Sequence, residues 1–268
     1  MRVRIIFILK NKGANVPFHH QYLLAQLIKG IIIKGGKKEF YDYSFYNFSG
    51  LKGQTKISRN GLHFYSSRVT LVFSSVSEVF LNYFLQNLFS FPQIEVGNLV
   101  LIPEGVEKEH TPKLSEKAKF ICISPLVLIT PSFNDSQGKR FIPPDTDEFS
   151  DMLYESTLER MSELGVYNEK QLKSFNKFQL VPDASYLSKI MDGQKKFARI
   201  YPVFDMDVKY EIRGYTFPFT LYAAGEVLDF AFTSGLGAFT HKGFGMLDLA
   251  NSDPVERSEK YEFIQQEE

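Results

Sequence analysis

The 268-residue sequence has no tryptophan, one cysteine and no long apolar run. With Cys122 alone, an internal disulfide and a zinc site built on a cysteine cluster are both excluded, and a reducing compartment fits. Apolar stretches such as Leu126 to Ile129 fall far below the roughly 20 residues of a membrane span. The N-terminal residues Met1-Arg2-Val3-Arg4-Ile5 alternate charge with apolar side chains, whereas a signal peptide needs a continuous apolar region. The expected setting is cytoplasmic, with no membrane partner.

Net charge is also lacking: 31 basic residues balance 31 acidic ones. The distribution informs more than the sum. Residues 251–268 hold six acids and two bases, so the body before them carries a mild basic excess. That excess is compatible with RNA. What is abundant is phenylalanine, 26 residues, which must supply much of the packing in place of tryptophan.

Hydrophobic period predicts the elements. Arg2 to Leu9 reads as a strand, and Pro17 suits a helix start. His19 to Ile33 is helical, with Leu23, Leu24, Leu27, Ile28, Ile31 and Ile32 on its buried stripe. Strands follow at Phe40–Phe48 and Leu62–Phe73. A second helix is expected from a Ser75/Glu78 capping box, then a strand at Ile94–Ile102 ended by Pro103. The order β-α-β-β-α-β is that of a ferredoxin-like unit.

After a polar linker at residues 107–117 the pattern partly repeats. Strands are expected at Phe120–Ile129, Phe178–Val181, Phe197–Phe204, Val208–Thr216 and Phe244–Leu249, and helices at Thr146–Leu164 and Glu226–Ser234. Pro131–Pro144 is a turn-rich connection. The fold class is thus α+β, two tandem ferredoxin-like (RRM-like) βαββαβ domains at 1–106 and 118–250. Residues 251–268 are expected to form a flexible acidic tail.

The densest motif is Gly235-Leu236-Gly237-Ala238-Phe239-Thr240-His241-Lys242-Gly243-Phe244-Gly245. Glycines permit positive φ and close backbone approach, and clustered N–H groups beside a cation suit phosphates. The dinucleotide fingerprint follows a strand and opens a helix; here a helix leads in and a strand leads out. Gly235, Gly237, Gly243, Gly245, His241 and Lys242 are therefore candidates for RNA backbone contact, a tight helix-to-strand turn with an exposed His-Lys pair being the alternative. Lys139 and Arg140 are further candidates, a solvated hairpin being the alternative. His63, His110 and Cys122 read as structural.

This loop, with Met246-Leu247 after it, resembles the C-terminal signature of the CRISPR-associated endoribonucleases of the Cas-six group, in the RAMP superfamily. Val16-Pro17-Phe18-His19-His20-Gln21-Tyr22, Tyr43-Ser44-Phe45 and Ser124-Pro125 resemble the same family. The resemblance covers Met1 to about Leu249. It implies binding of CRISPR repeat RNA and cleavage of the precursor transcript without a metal or cofactor, by attack of a ribose 2′-OH on the adjacent phosphate. The partners it implies are that RNA, other CRISPR effector subunits and a second copy in a homodimer. A crRNA-binding relative that does not cut, or a structural subunit of an effector complex, are the alternatives.

That chemistry needs a base, an acid and a cation at one phosphate. The family places a histidine between its first helix and second strand, where this chain has Lys34-Gly35-Gly36-Lys37-Lys38-Glu39. The substitutes in reach are His20, His19, Lys29 and Lys38, with Lys37 an alternative to Lys38. His20 falls in line with Leu24, Leu27 and Ile31, so a packed role competes with a catalytic one. His19 lies off that line. Lys29 is about 180° around the helix from His20.

Overall fold

A computed structural model describes residues 1–129, 139–191, 197–205 and 208–263. The chain divides into two compact units: Met1–Thr111 with His241–Gly243 and Asp253–Glu268, and Pro112–Thr240 with Phe244–Ser252.

The first unit runs β1 (Arg2–Leu9), β2 (Asn15–Val16), α1 (Gln21–Lys34), a 3-10 turn (Lys38–Phe40), β3 (Tyr46–Phe48), β4 (Thr55–Ser58), β5 (Gly61–Phe64), β6 (Arg68–Ser75), α2 (Glu78–Phe89), β7 (Ile94–Val96) and β8 (Leu99–Glu109). The second runs β9 (Lys117–Cys122), β10 (Leu126–Val127), α3 (Asp147–Leu164), α4 (Glu169–Ser174), β11 (Phe178–Pro182), α5 (Ala184–Met191), β12 (Ala198–Asp205), β13 (Val208–Tyr215), β14 (Phe219–Ala223), α6 (Gly225–Ser234) and β15 (Leu247–Leu249). The chain then returns to the first unit as β16 (Ser258–Lys260).

Both units are ferredoxin-like. The first sheet has the order β8-β1-β6-β3, the second β15-β9-β14-β11. In each, the first and third core strands lie in the middle and every pairing is antiparallel. Alternation along β1 explains one core: Val3, Ile5, Phe7 and Leu9 are buried among Leu24, Ile28 and Ile31 of α1 and Phe80, Phe84 and Leu88 of α2. Phe73 stacks on Phe84 with centroids 4.3 Å apart. The second core gathers Phe120, Phe149, Leu153, Phe219, Leu221, Leu228 and Phe232.

Several elements depart from the sequence reading. The stretch Leu62–Phe73 is two strands, because its apolar alternation changes parity between Phe64 and Val69. β5 pairs with β2 and β4 in a separate sheet, and β6 joins the main one. Ile94–Ile102 is a hairpin turning at Gly97-Asn98, where Gly97 has φ 56°. Pro103 does not end β8; it sits at a register shift opposite Phe7, a bulge where its missing N–H is tolerated. β8 therefore runs on to Glu109, into the expected linker.

The cap of α2 is Ser77, whose Oγ accepts from the Phe80 N–H at 3.2 Å, while Ser75 Oγ accepts from the Ser77 N–H. Of the aromatic stretch Phe40–Phe48 only Tyr46–Phe48 is strand; Phe40 and Tyr43 pack edgewise and tilted against Phe80. β14 was not expected, although it lies inside the second sheet. β13 pairs with both β12 and β10 in a sheet of their own.

The tail also departs from expectation. Ser258–Lys260 pairs with Glu107–Glu109 of β8. Tyr261 Oη donates to Asn82 at 2.8 Å, and Phe263 packs edgewise on Phe89 at 4.9 Å. Apolar anchors among the acids, rather than the overall charge, decide its placement. Part of Pro131–Pro144 and the last five residues lie outside the described residues.

Candidate functional site

The glycine motif begins where α6 ends. Gly235, Gly237, Gly243 and Gly245 all have positive φ, between 71° and 85°, and all are buried. A Cβ on Gly237 would collide with the Val127 carbonyl, one on Gly245 with the Leu236 carbonyl, and one on Gly243 with the Phe48 ring. The chain's own atoms fill the space the missing side chains leave. Backbone bonds knit the loop further: Leu236 N–H donates to Gly245 at 2.9 Å, Gly245 N–H to Pro125 at 2.7 Å, and Ala238 N–H to Val127 at 2.9 Å. Ser124 Oγ accepts from the Met246 N–H at 2.8 Å, which gives Ser124-Pro125 a structural role.

One side chain tying this loop down escaped the sequence reading. Arg160 of α3 donates to the carbonyls of Ser234 (2.7 Å), Gly235 (3.0 Å) and Gly237 (3.4 Å). Its guanidinium also lies 5.2 Å from the Phe230 ring centroid. Burial pulls its pKa down to about 10, which leaves it charged at neutral pH. A signal existed: α3 carries six acids and Arg160 as its one base. Phe239 was missed too. At φ 56° it is the non-glycine residue with left-handed backbone among the described residues, a conformation costing of order 1–3 kcal/mol and concentrated at functional sites.

The tip of the loop is a 3-10 turn, Thr240–Lys242, with His241 and Lys242 half-buried. His241 and Lys242 belong with the first unit. The His241 ring meets Tyr46 of β3 edge-on at 6.4 Å. Tyr46 stacks on Phe73 and Phe80, and burial pushes its phenol well above the usual range.

The first-helix candidates have separate surroundings. His20 is buried; its Nε2 accepts from the Leu51 N–H at 3.1 Å and its Nδ1 faces the Pro17 carbonyl at 3.2 Å. That pattern fits the neutral ring with its proton on Nδ1, and burial holds its pKa below the ordinary histidine value. His19 is half-buried. The Lys29 ammonium donates to the Tyr41 carbonyl and lies 3.7 Å from Asp42. At about 1.5 Å per residue, Lys29 stands about 13 Å along the helix from His20. Lys38 is exposed at the start of the 3-10 turn; the neighbouring Lys37 ammonium sits 5.6 Å from the Tyr83 ring centroid.

Lys139 and Arg140 are matched by acids, Glu211 at 2.6 Å and Glu148 at 2.8 Å. His63 bridges Ser58 Oγ and the Gly13 carbonyl. The Cys122 thiol, pushed up to about 12 by burial, is not a nucleophile at neutral pH. Among the described residues no group of three or more His, Cys, Asp or Glu could hold a metal ion, and no helix is long and apolar enough to cross a membrane.

Residues 107–249, the stretch that contains the glycine loop and both ends of the second sheet, match the family described as CRISPR associated protein Cas6, C-terminal. The chain belongs to the Cas6 family. A Cas6-family relative in Pyrococcus furiosus, a CRISPR-associated endoribonuclease-like protein, is 21% identical over 265 residues, covering 93% of this chain and 98% of the relative. A solved Cas6-related protein from Pyrococcus furiosus superposes with a TM-score of 0.76 at 20% identity, over 94% of this chain and 99% of that one. A RAMP protein that binds different RNA substrates gives 0.75 at 20% identity, over 94% and 100%. At these identities the structures share the fold of both units.

Proposed function

We propose that this Cas6-family protein binds CRISPR repeat RNA and holds it without cutting it. Family membership and the RNA-binding RAMP relative of the same fold support the ligand. The observation that carries the absence of cutting is the state of His20. Both ring nitrogens face backbone groups, Leu51 N–H and Pro17 carbonyl, so the ring fastens the segment after β3 to the start of α1. Transesterification needs a base for the 2′-OH, an acid for the departing 5′-oxygen and a cation for the extra phosphate charge. Lys29 is engaged by Tyr41 and Asp42 and is about 13 Å away, so the two do not serve one phosphate.

The phosphate contacts of this reading are His241 and Lys242 at the loop tip. A gel shift with labelled repeat RNA and with DNA of the same sequence tests the ligand. The RNA is expected to shift, and His241→Ala/Lys242→Ala to weaken the shift; equal binding of the DNA contradicts an RNA-specific site.

One observation favours cleavage as a second reading. His241 and Lys242 supply an acid–base group and a cation on one turn. Under that reading the His19→Ala/His20→Ala protein cuts normally and His241→Ala does not.

A further inference from the structure

The neutral net charge conceals a division along the chain. The first 77 residues hold twelve Lys and Arg against two acids, Glu39 and Asp42. The acids that balance them come later. Part of this basic excess lies on the small sheet β2-β5-β4, which stands apart from the main sheet of the first unit.

The β4–β5 hairpin turns at Arg59-Asn60, between the paired residues Ser58 and Gly61. Every residue from Lys52 to Ile57 is exposed. β4 is the edge of its sheet. Lys56 and His63 are paired across the strands and share a face. Tyr65, whose N–H donates to Gln54, continues that face and is 41% exposed. The Lys56 ammonium lies 5.1 Å from the Tyr65 ring centroid. The loop that carries Lys12 passes beside the same ring, since Gly13 points its open side at Tyr65. Ile57, on the opposite face of β4, is 78% exposed. Lys12, Lys56 and Arg59 are exposed, and among the described residues none of the three has an acidic partner. Arg68, by contrast, makes a two-pronged bridge to Glu104.

We propose that this hairpin is a binding arm for single-stranded RNA, with Lys12, Lys56 and Arg59 on phosphates and Tyr65 stacking on a base. Unpaired cations beside an exposed aromatic ring are what a strand with free bases requires. An A-form duplex offers shape, 2′-hydroxyls and phosphates but no base face for Tyr65. The arm deepens the RNA-binding reading above and rests on it.

The test is fluorescence anisotropy across a salt series, with labelled oligo(U) and a blunt RNA duplex of matched length. The parent chain is compared with Lys12→Ala/Lys56→Ala/Arg59→Ala and with Tyr65→Leu. The triple variant is expected to lose about tenfold or more in affinity for oligo(U), and its slope of log K against log salt to fall by about 2, near 0.7 per lost phosphate contact. Tyr65→Leu is expected to weaken oligo(U) binding about fivefold or more with the slope kept, and to leave the duplex unaffected. Variants that bind as the parent does overturn the arm and leave the RNA-binding reading standing; if they aggregate as well, the charges protect the β4 edge instead. A parent that binds neither probe overturns both.

Discussion

The guanidinium of Arg160 and the carbonyl of Gly235 lie 3.0 Å apart, and through that bond α3 fixes the left-handed end of α6. Two more carbonyls of the same turn depend on the same side chain. The turn that presents His241 and Lys242 follows directly.

Arg160→Met is expected to lower unfolding stability by about 2–3 kcal/mol, the cost of leaving buried carbonyls without a charged donor. Arg160→Lys should recover only part of this, because a point charge cannot span three acceptors as a planar fork does. Urea denaturation measures both. Equal stability of Arg160→Met and the parent would remove Arg160 from its place.

Removing residues 253–268 is expected to destabilise the first unit by about 2–4 kcal/mol. The loss comprises the β16 pairing with β8, the Tyr261–Asn82 hydrogen bond and the Phe263–Phe89 contact. Chemical denaturation of the shortened chain reads it directly. A truncated protein as stable as the parent would show that the tail rests on the unit without holding it.

His20 makes stability depend on pH. Its folded pKa is lowered by burial, so between that value and the unfolded value near 6.5 the unfolded chain binds more protons. Stability then falls as pH drops below about 6.5. The stability difference between the parent and His20→Gln should therefore shrink from pH 7 to pH 5. A difference that does not change across this range would mean that the ring is not held neutral.

Both ferredoxin-like units were legible because alternation and helical period carry most of the pattern. Val3, Ile5 and Phe7 announce β1, and Leu24, Ile28 and Ile31 announce α1. Misplaced boundaries have local causes. A parity change at Ser66-Ser67 split one strand, the Gly97-Asn98 turn split another, and a bulge absorbed Pro103. The glycine loop was conspicuous, but its meaning was not. Sequence shows that Gly237 and Gly245 need room; only the structure shows that the room is taken by Val127 and Leu236. His20 was legible as a choice between packing and chemistry, since it lies on the apolar line of α1. Its partner Leu51, 31 residues away, leaves no periodic trace. Arg160 and Phe239 depend on tertiary contacts and on one backbone angle, neither of which periodicity reports.

The central claim is that the protein holds repeat RNA and leaves it whole. End-labelled repeat RNA incubated with excess protein in EDTA, then split between native and denaturing gels, tests it most directly. The account predicts a shifted complex on the native gel and full-length RNA on the denaturing gel. A discrete shorter product ending in a 2′,3′-cyclic phosphate would contradict it.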